Sequence, residues 1–198
     1  VNLGSALAGT VAAIRISAST TAGFSIVKFP GDSSVETVAH GLSQAPEFIT
    51  YKGLGDTSAW PVGSDALTNW EYYVYLNYDS AESASAAFFN DTAPSASVFT
   101  IGSTGAPAAD TPYLAYCWHS VEGYSKIGNY EGNGIDDGGP FVYTGFKPAY
   151  TLIKSVDAAR EFWIMDNKRD PYNDNGVQVL WPFNNDAEGD DYTNYEID

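Results

Sequence analysis

Cysteine occurs once in this 198-residue chain, at Cys117, which excludes an intramolecular disulfide framework. Basic residues are scarce: 9 Lys and Arg stand against 25 Asp and Glu, for a formal charge of −16. A surface of that sign repels a phosphate backbone and an anionic lipid surface, so neither nucleic acid nor a membrane is an expected partner. No run approaches the ~18 consecutive apolar residues of a spanning helix, and no signal-peptide pattern opens the sequence. Gly-x-Ser-x-Gly, a Walker loop and His-Glu-x-x-His are all missing. Two histidines and one cysteine are too few for a zinc site. Among so many carboxylates no pair stands out as a hydrolase couple. The chain therefore reads as a non-enzyme.

What the chain has in quantity is apolar and aromatic residues, at 44% and 15%, with Gly 19 and Pro 10. That is enough to build cores, and the Gly/Pro punctuation between short β-prone runs favours strands and tight turns. Strands are predicted over Thr10–Ser17, Gly23–Phe29, Glu47–Lys52, Tyr72–Leu76, Val98–Ile101, Tyr113–His119, Tyr124–Tyr130, Tyr150–Ser155, Glu161–Asp166 and Val177–Trp181. Only Asp79–Phe89 suggests a turn of helix. The expected class is all-β and antiparallel.

The order of motifs repeats. Gly23-Phe24-Ser25-Ile26 returns as Gly123-Tyr124-Ser125-Lys126, and Pro46-Glu47-Phe48-Ile49-Thr50-Tyr51-Lys52 as Pro148-Ala149-Tyr150-Thr151-Leu152-Ile153-Lys154. Asp79-Ser80-Ala81-Glu82 matches Asn185-Asp186-Ala187-Glu188, and Val11–Ile16 matches Tyr113–Trp118. Two tandem β-sandwich modules follow from this, 1–109 and 110–198, the second lacking its last strands. The chain opens on Val1 rather than Met, so it is expected to be a piece of a longer polypeptide or one completed by a partner. Val1–Ile16 of a neighbouring copy is the expected donor, because an open sheet edge otherwise invites aggregation. Pro46 and Pro148 should precede equivalent strands, which Lys52 and Lys154 should end.

Candidate contact residues are aromatic. Trp70, in the polar stretch Thr68-Asn69-Trp70-Glu71, is the best candidate for a contact residue, against the alternative of core or interface packing. Trp163 alternates with Phe162 and Ile164, so it is either exposed or packed on the neighbouring module, whereas Trp118 and Phe162 read as core. Cys117 lies in an apolar strand and reads as an inert buried thiol. His40 and His119 have no histidine at the matching place in the other copy, so they read as surface or hydrogen-bonded residues rather than ligands. No cofactor is expected. Calcium is the one ion the loops come near to supplying for, at Asn184-x-Asp186-x-Glu188-Gly189 and around Asp136 and Asp137, but the first lacks a final Glu and both suit solvated turns.

The stretches Ala115–Gly134, Gly139–Ala149 and Asp166–Asn173 resemble a repeated β domain of tailed bacteriophages, of the marine and cyanobacterial kind, found in large tail-fibre or appendage proteins. His40-Gly41-Leu42, Ala45–Ile49 and Asn90–Pro94 carry weaker forms of the same marks. The resemblance implies a non-enzymatic virion structural protein at the virion surface or outside the cell, acting in host attachment or fibre assembly. Its partners would be other copies of itself, other virion proteins and a host-surface glycan. A capsid decoration protein and a secreted carbohydrate-binding module, or extracellular filament subunit, are the alternatives.

Overall fold

The computed structural model describes residues 8–106, 111–135, 139–169 and 178–183. Two strands with strict alternation set the frame: β2 (Phe24–Pro30) and, far along the chain, β9 (Pro112–Trp118), in both of which every second residue is buried. Such alternation gives a strand one dry face and one wetter face. β9 lies between β2 and β4 (Phe48–Gly53), antiparallel to both. Around this centre β1 (Arg15–Ser19), β5 (Pro61–Ser64), β6 (Tyr72–Tyr75) and β7 (Ser83–Ala84) complete a sheet in the order β1-β2-β9-β4-β5-β6-β7. The boundary expected at residue 109 does not divide two bodies, since the central strand of the first sheet follows it.

A smaller sheet, β3 (Glu36–Ala39) with β8 (Val98–Ile101), covers the dry face. Val27, Phe29, Ile49, Tyr51, Tyr113 and Ala115 meet Val38, Phe99 and Ile101 there in one core. Phe29 stands at its middle, stacked on Tyr113 at 5.7 Å and edge-on to Phe99 at 6.0 Å. Side chains of that size contribute roughly 1.5–3 kcal/mol each when fully buried. The helical turn foreseen within Asp79–Phe89 is α1 (Ala86–Phe89), capped by Ser85, whose hydroxyl accepts from the Ala87 amide. It delivers Phe89 to the core.

The all-β antiparallel class is thus the one observed, with a sandwich in the first half. The described part of the second half is smaller: a hairpin of β10 (Tyr150–Ile153) and β11 (Trp163–Asp166), with Leu180 bridged to Ile164. Its Phe162, Leu152 and Val156 pack on Val62, Val74, Phe48 and Leu76, closing one end of the wetter face of the large sheet. Pro46 and Pro148 stand two residues ahead of β4 and β10; Lys52 lies next to the end of β4, and Lys154 directly follows β10.

Three expectations need correction. The Tyr124–Tyr130 segment makes only a bridge, Val121 to Ser125, and continues without strand. Its counterpart β2 is templated by β9; both edges of β9 are already taken by β2 and β4, so no equivalent template reaches 124–130. The opening segment, from Gly9 onward, is bound within its own module rather than free to be donated. Thr10 donates its amide to the Thr37 carbonyl at 3.0 Å, Ile14 donates to Lys28 at 2.7 Å, and β1 pairs with β2 throughout. The strand predicted from Thr10 begins only at Arg15, after a bend at Ile14.

Candidate interaction surface

Trp70, the foremost contact candidate, is 7% exposed. The turn after β5 folds it inward, where its indole N–H donates to Asp65 Oδ1 at 2.6 Å and its ring meets Phe89 edge-on at 5.6 Å. Gly63 makes room for it: a Cβ there would come within 2.7 Å of the Trp70 ring. Of the two readings open for Trp70, packing in the core is the one observed. Trp163 is half-buried and packs with Ile153 and Trp181 against Met165 and Val179. Phe162 is the buried side chain among those that reach the first half, with Leu152 and Val156 beside it. Trp118, read as core, is half-buried on the wetter face, stacked on Phe24 at 4.9 Å and followed by Tyr116 at 6.1 Å and Trp60 beyond.

The cysteine and both histidines are buried. Cys117 is fully buried and burial pushes its thiol up to about 12, far from a reactive thiolate. His40 is fully buried, with Nδ1 accepting from the Leu42 amide and Nε2 donating to the Ser95 carbonyl, both at 3.1 Å. Burial holds its pKa below the ordinary value. His119 is 5% exposed and its Nδ1 donates to the Ser120 carbonyl at 2.8 Å. The Asn184–Gly189 loop and Asp136–Asp137 lie outside the described residues, among which no group of three or more His, Cys, Asp or Glu is placed to hold a metal. A cleft of about 180 Å³ opens beside Tyr51, Tyr75, Tyr113 and Asp56. Lys52 and Ser58 hold the Asp56 carboxyl down at about 2, so it stays ionised at neutral pH and is no proton donor.

The hairpin of the second half presents a different kind of site. Its register repeats that of β4–β5: Phe48 faces Ser64 and Ile49 faces Gly63, as Tyr150 faces Asp166 and Thr151 faces Met165. The shift along the chain is the same for both strands. Hydrogen bonds outside the ladder repeat too. Asp65 donates its amide to the Glu47 carbonyl at 2.9 Å, as Asn167 does to Ala149 at 3.1 Å. Ser64 Oγ accepts from the Ala66 amide, and Asp166 Oδ1 from the Lys168 amide. One element is not repeated. The outer edge of β4 is filled by β9, whereas β10 pairs only with β11 among the described residues. Close by in sequence run large exposed aromatics outside any strand: Tyr124, Tyr130, Phe141 and Tyr143, with Tyr150 55% exposed on β10 itself.

Over residues 2–198 the chain matches a family described as "Domain of unknown function (DUF7483)", and it belongs to that family. No curated protein and no solved structure matches it.

Proposed function

We propose that this chain is a non-enzymatic structural protein of a bacteriophage virion, of tail-fibre or appendage type, located at the virion surface. The observation that carries the structural part is the edge of β10 that takes no strand among the described residues, together with the exposed aromatics that precede it in sequence. A strand edge of this kind is a ready template for another strand, and exposed aromatic side chains suit protein contacts. The phage part rests on the resemblance of the Ala115–Gly134 and Gly139–Ala149 stretches. Mass spectrometry of purified particles, followed by placing this fold in their density, tests it. Density in a fibre or appendage is the expected result; regular positions on the capsid shell would make it a decoration protein, and absence from particles would overturn the reading.

A second reading, a carbohydrate-binding module, draws on the row Trp60–Tyr116–Trp118–Phe24 along the wetter face. Aromatic rings with one accessible side offer apolar contact to sugars. Saturable quenching of Trp fluorescence by a glycan, lost in Trp60→Ala, is the outcome that reading requires.

A further inference from the structure

We propose that the cleft beside Tyr51, Tyr75, Tyr113 and Asp56 is a binding site for one uncharged sugar ring, the terminal unit of a glycan. Such a site goes beyond the assembly role argued above and stands independently of it. The cleft opens where the two layers of the sandwich part. Tyr113 of β9, Tyr51 of β4 and Tyr75 of β6 come from the large sheet, while Phe88 of α1 and the turn at Thr104 and Gly105 come from the covering side. The Gly102 amide donates to the Phe88 carbonyl at 2.9 Å. That bond ties α1 to the turn after β8 and makes the covering wall part of the fold.

The polar groups lining the cleft have capacity to spare. Tyr51 is 1% exposed, yet its hydroxyl finds among the described residues only the Phe88 carbonyl, at 3.4 Å. Hydroxyl bonds are strongest near about 2.7–2.8 Å, so this one is weak, and a phenol both donates and accepts. Burial, and then the neighbouring phenols of Tyr113 and Tyr75, hold its pKa well above the ordinary value, so it keeps its proton. Asp56 divides its two oxygens between different tasks. Oδ1 accepts from Lys52 Nζ at 2.7 Å and from the amide and hydroxyl of Ser58 at 3.0 and 2.5 Å, which fixes the loop. Oδ2 lies over Gly53, where a Cβ would come within 2.4 Å of it, and takes the Tyr113 hydroxyl at 3.5 Å. One oxygen holds the loop and the other is turned to the cleft.

This set of groups suits a sugar. The carboxylate oxygen accepts from ring hydroxyls, the Tyr51 phenol does so and donates in return, and the Tyr75 and Phe88 rings, edge-on to each other at 5.7 Å, offer apolar contact to the C–H groups. Charge selects a neutral ligand. Lys52 already sits 2.7 Å from Asp56, so a cation gains little there, while an anion meets a carboxylate on a chain of −16. Size sets the limit at one ring. A cavity of ~150 Å³ accepts a benzene molecule, and this cleft holds about 180 Å³, so the rest of a glycan stays outside.

The test follows amide NMR shifts of the full chain during titration with the methyl glycosides of glucose, galactose, mannose and N-acetylglucosamine, and with tetramethylammonium as the cation. Saturable shifts of the Gly53, Ser58 and Gly105 amides with at least one glycoside, at a Kd on the order of 1 mM, are the expected result. Tyr51→Phe should weaken that binding about fivefold, for one hydrogen bond, and Asp56→Asn about tenfold or more, for one to a charged group. Both substitutions keep the side-chain shape, and unmoved β2 and β9 amides in the free variants report an intact fold. Trp60→Ala, on the wetter face, should leave the binding unchanged. Silence of these amides toward all four glycosides, undiminished binding in both cleft variants, shifts that follow Trp60 instead, or tetramethylammonium binding in place of the sugars overturns the proposal. Location on the particle is read separately: a virion protein whose cleft takes no sugar fails this inference only, and a sugar-binding chain absent from virions fails the functional reading only.

Discussion

Truncating Phe162 to Ala should release the second hairpin from the sheet while leaving the sandwich folded. Phe162 is 4% exposed and is the buried side chain that the hairpin sends among Val62, Leu67 and Val74. Removing a buried Phe costs ~3–5 kcal/mol, and at ~1.4 kcal/mol per decade that raises the undocked population about two to three and a half orders of magnitude. Further contacts hold the hairpin: the half-buried Leu152 and Val156, the Glu82 amide donating to the Val156 carbonyl at 2.9 Å, and Lys154 Nζ donating to the Asp79 carbonyl at 3.3 Å. They are fewer than those that tie β9 to both its neighbours. Native-state hydrogen exchange separates the two regions. Amides of Thr151, Ile153 and Trp163 should lose protection by that factor, while those of Val27 and Ala115 keep theirs. Phe162→Leu, which retains most of the volume, should show a smaller loss of protection. Equal loss of protection in β9 and in β10 would refute the reasoning, because it would make the hairpin part of the sandwich's own cooperative unit.

Acid should destabilise the fold through His40. Its folded pKa lies below the ordinary value of 6.5 because burial disfavours the cation, so the unfolded chain binds the proton more readily. Stability is then fully present above about pH 6.5 and falls as the pH drops toward the folded pKa; melting temperatures from pH 7.5 to 5 should decline in the wild type and be flatter over that window in His40→Gln. Gly23 and Gly123 both sit at positive φ, +63 and +71, but a Cβ on Gly23 would meet the His119 carbonyl at 2.6 Å whereas one on Gly123 meets nothing within 4 Å. Gly123→Ala should cost only the backbone term, about 1–2 kcal/mol, and Gly23→Ala measurably more in urea unfolding; equal costs would show that packing at Gly23 is unimportant.

Local pattern was enough for much of the fold. The β-prone runs Gly23–Phe29 and Tyr113–His119 marked two strands, though not their dry faces, since Trp118 read as core lies on the wetter one; the Gly and Pro punctuation marked the class, and the matched Pro46 and Pro148 located two strands that share a register. The apolar setting of Cys117 likewise gave its burial, because every neighbour along the strand is already committed to a sheet. Position in space was another matter. Trp70 looks exposed among Thr68, Asn69 and Glu71, yet the turn that buries it is decided by Gly63 and Asp65, which meet it only after folding. Tyr124–Tyr130 has as good a strand pattern as its counterpart but forms none, because a strand needs a neighbour's backbone and β9 had already given both its edges away. Side-chain pattern along a chain is a local property that sequence carries by itself; which strand receives a partner, and which edge is left without one, is settled by competition for a limited set of backbone hydrogen bonds, and only the tertiary structure records the outcome.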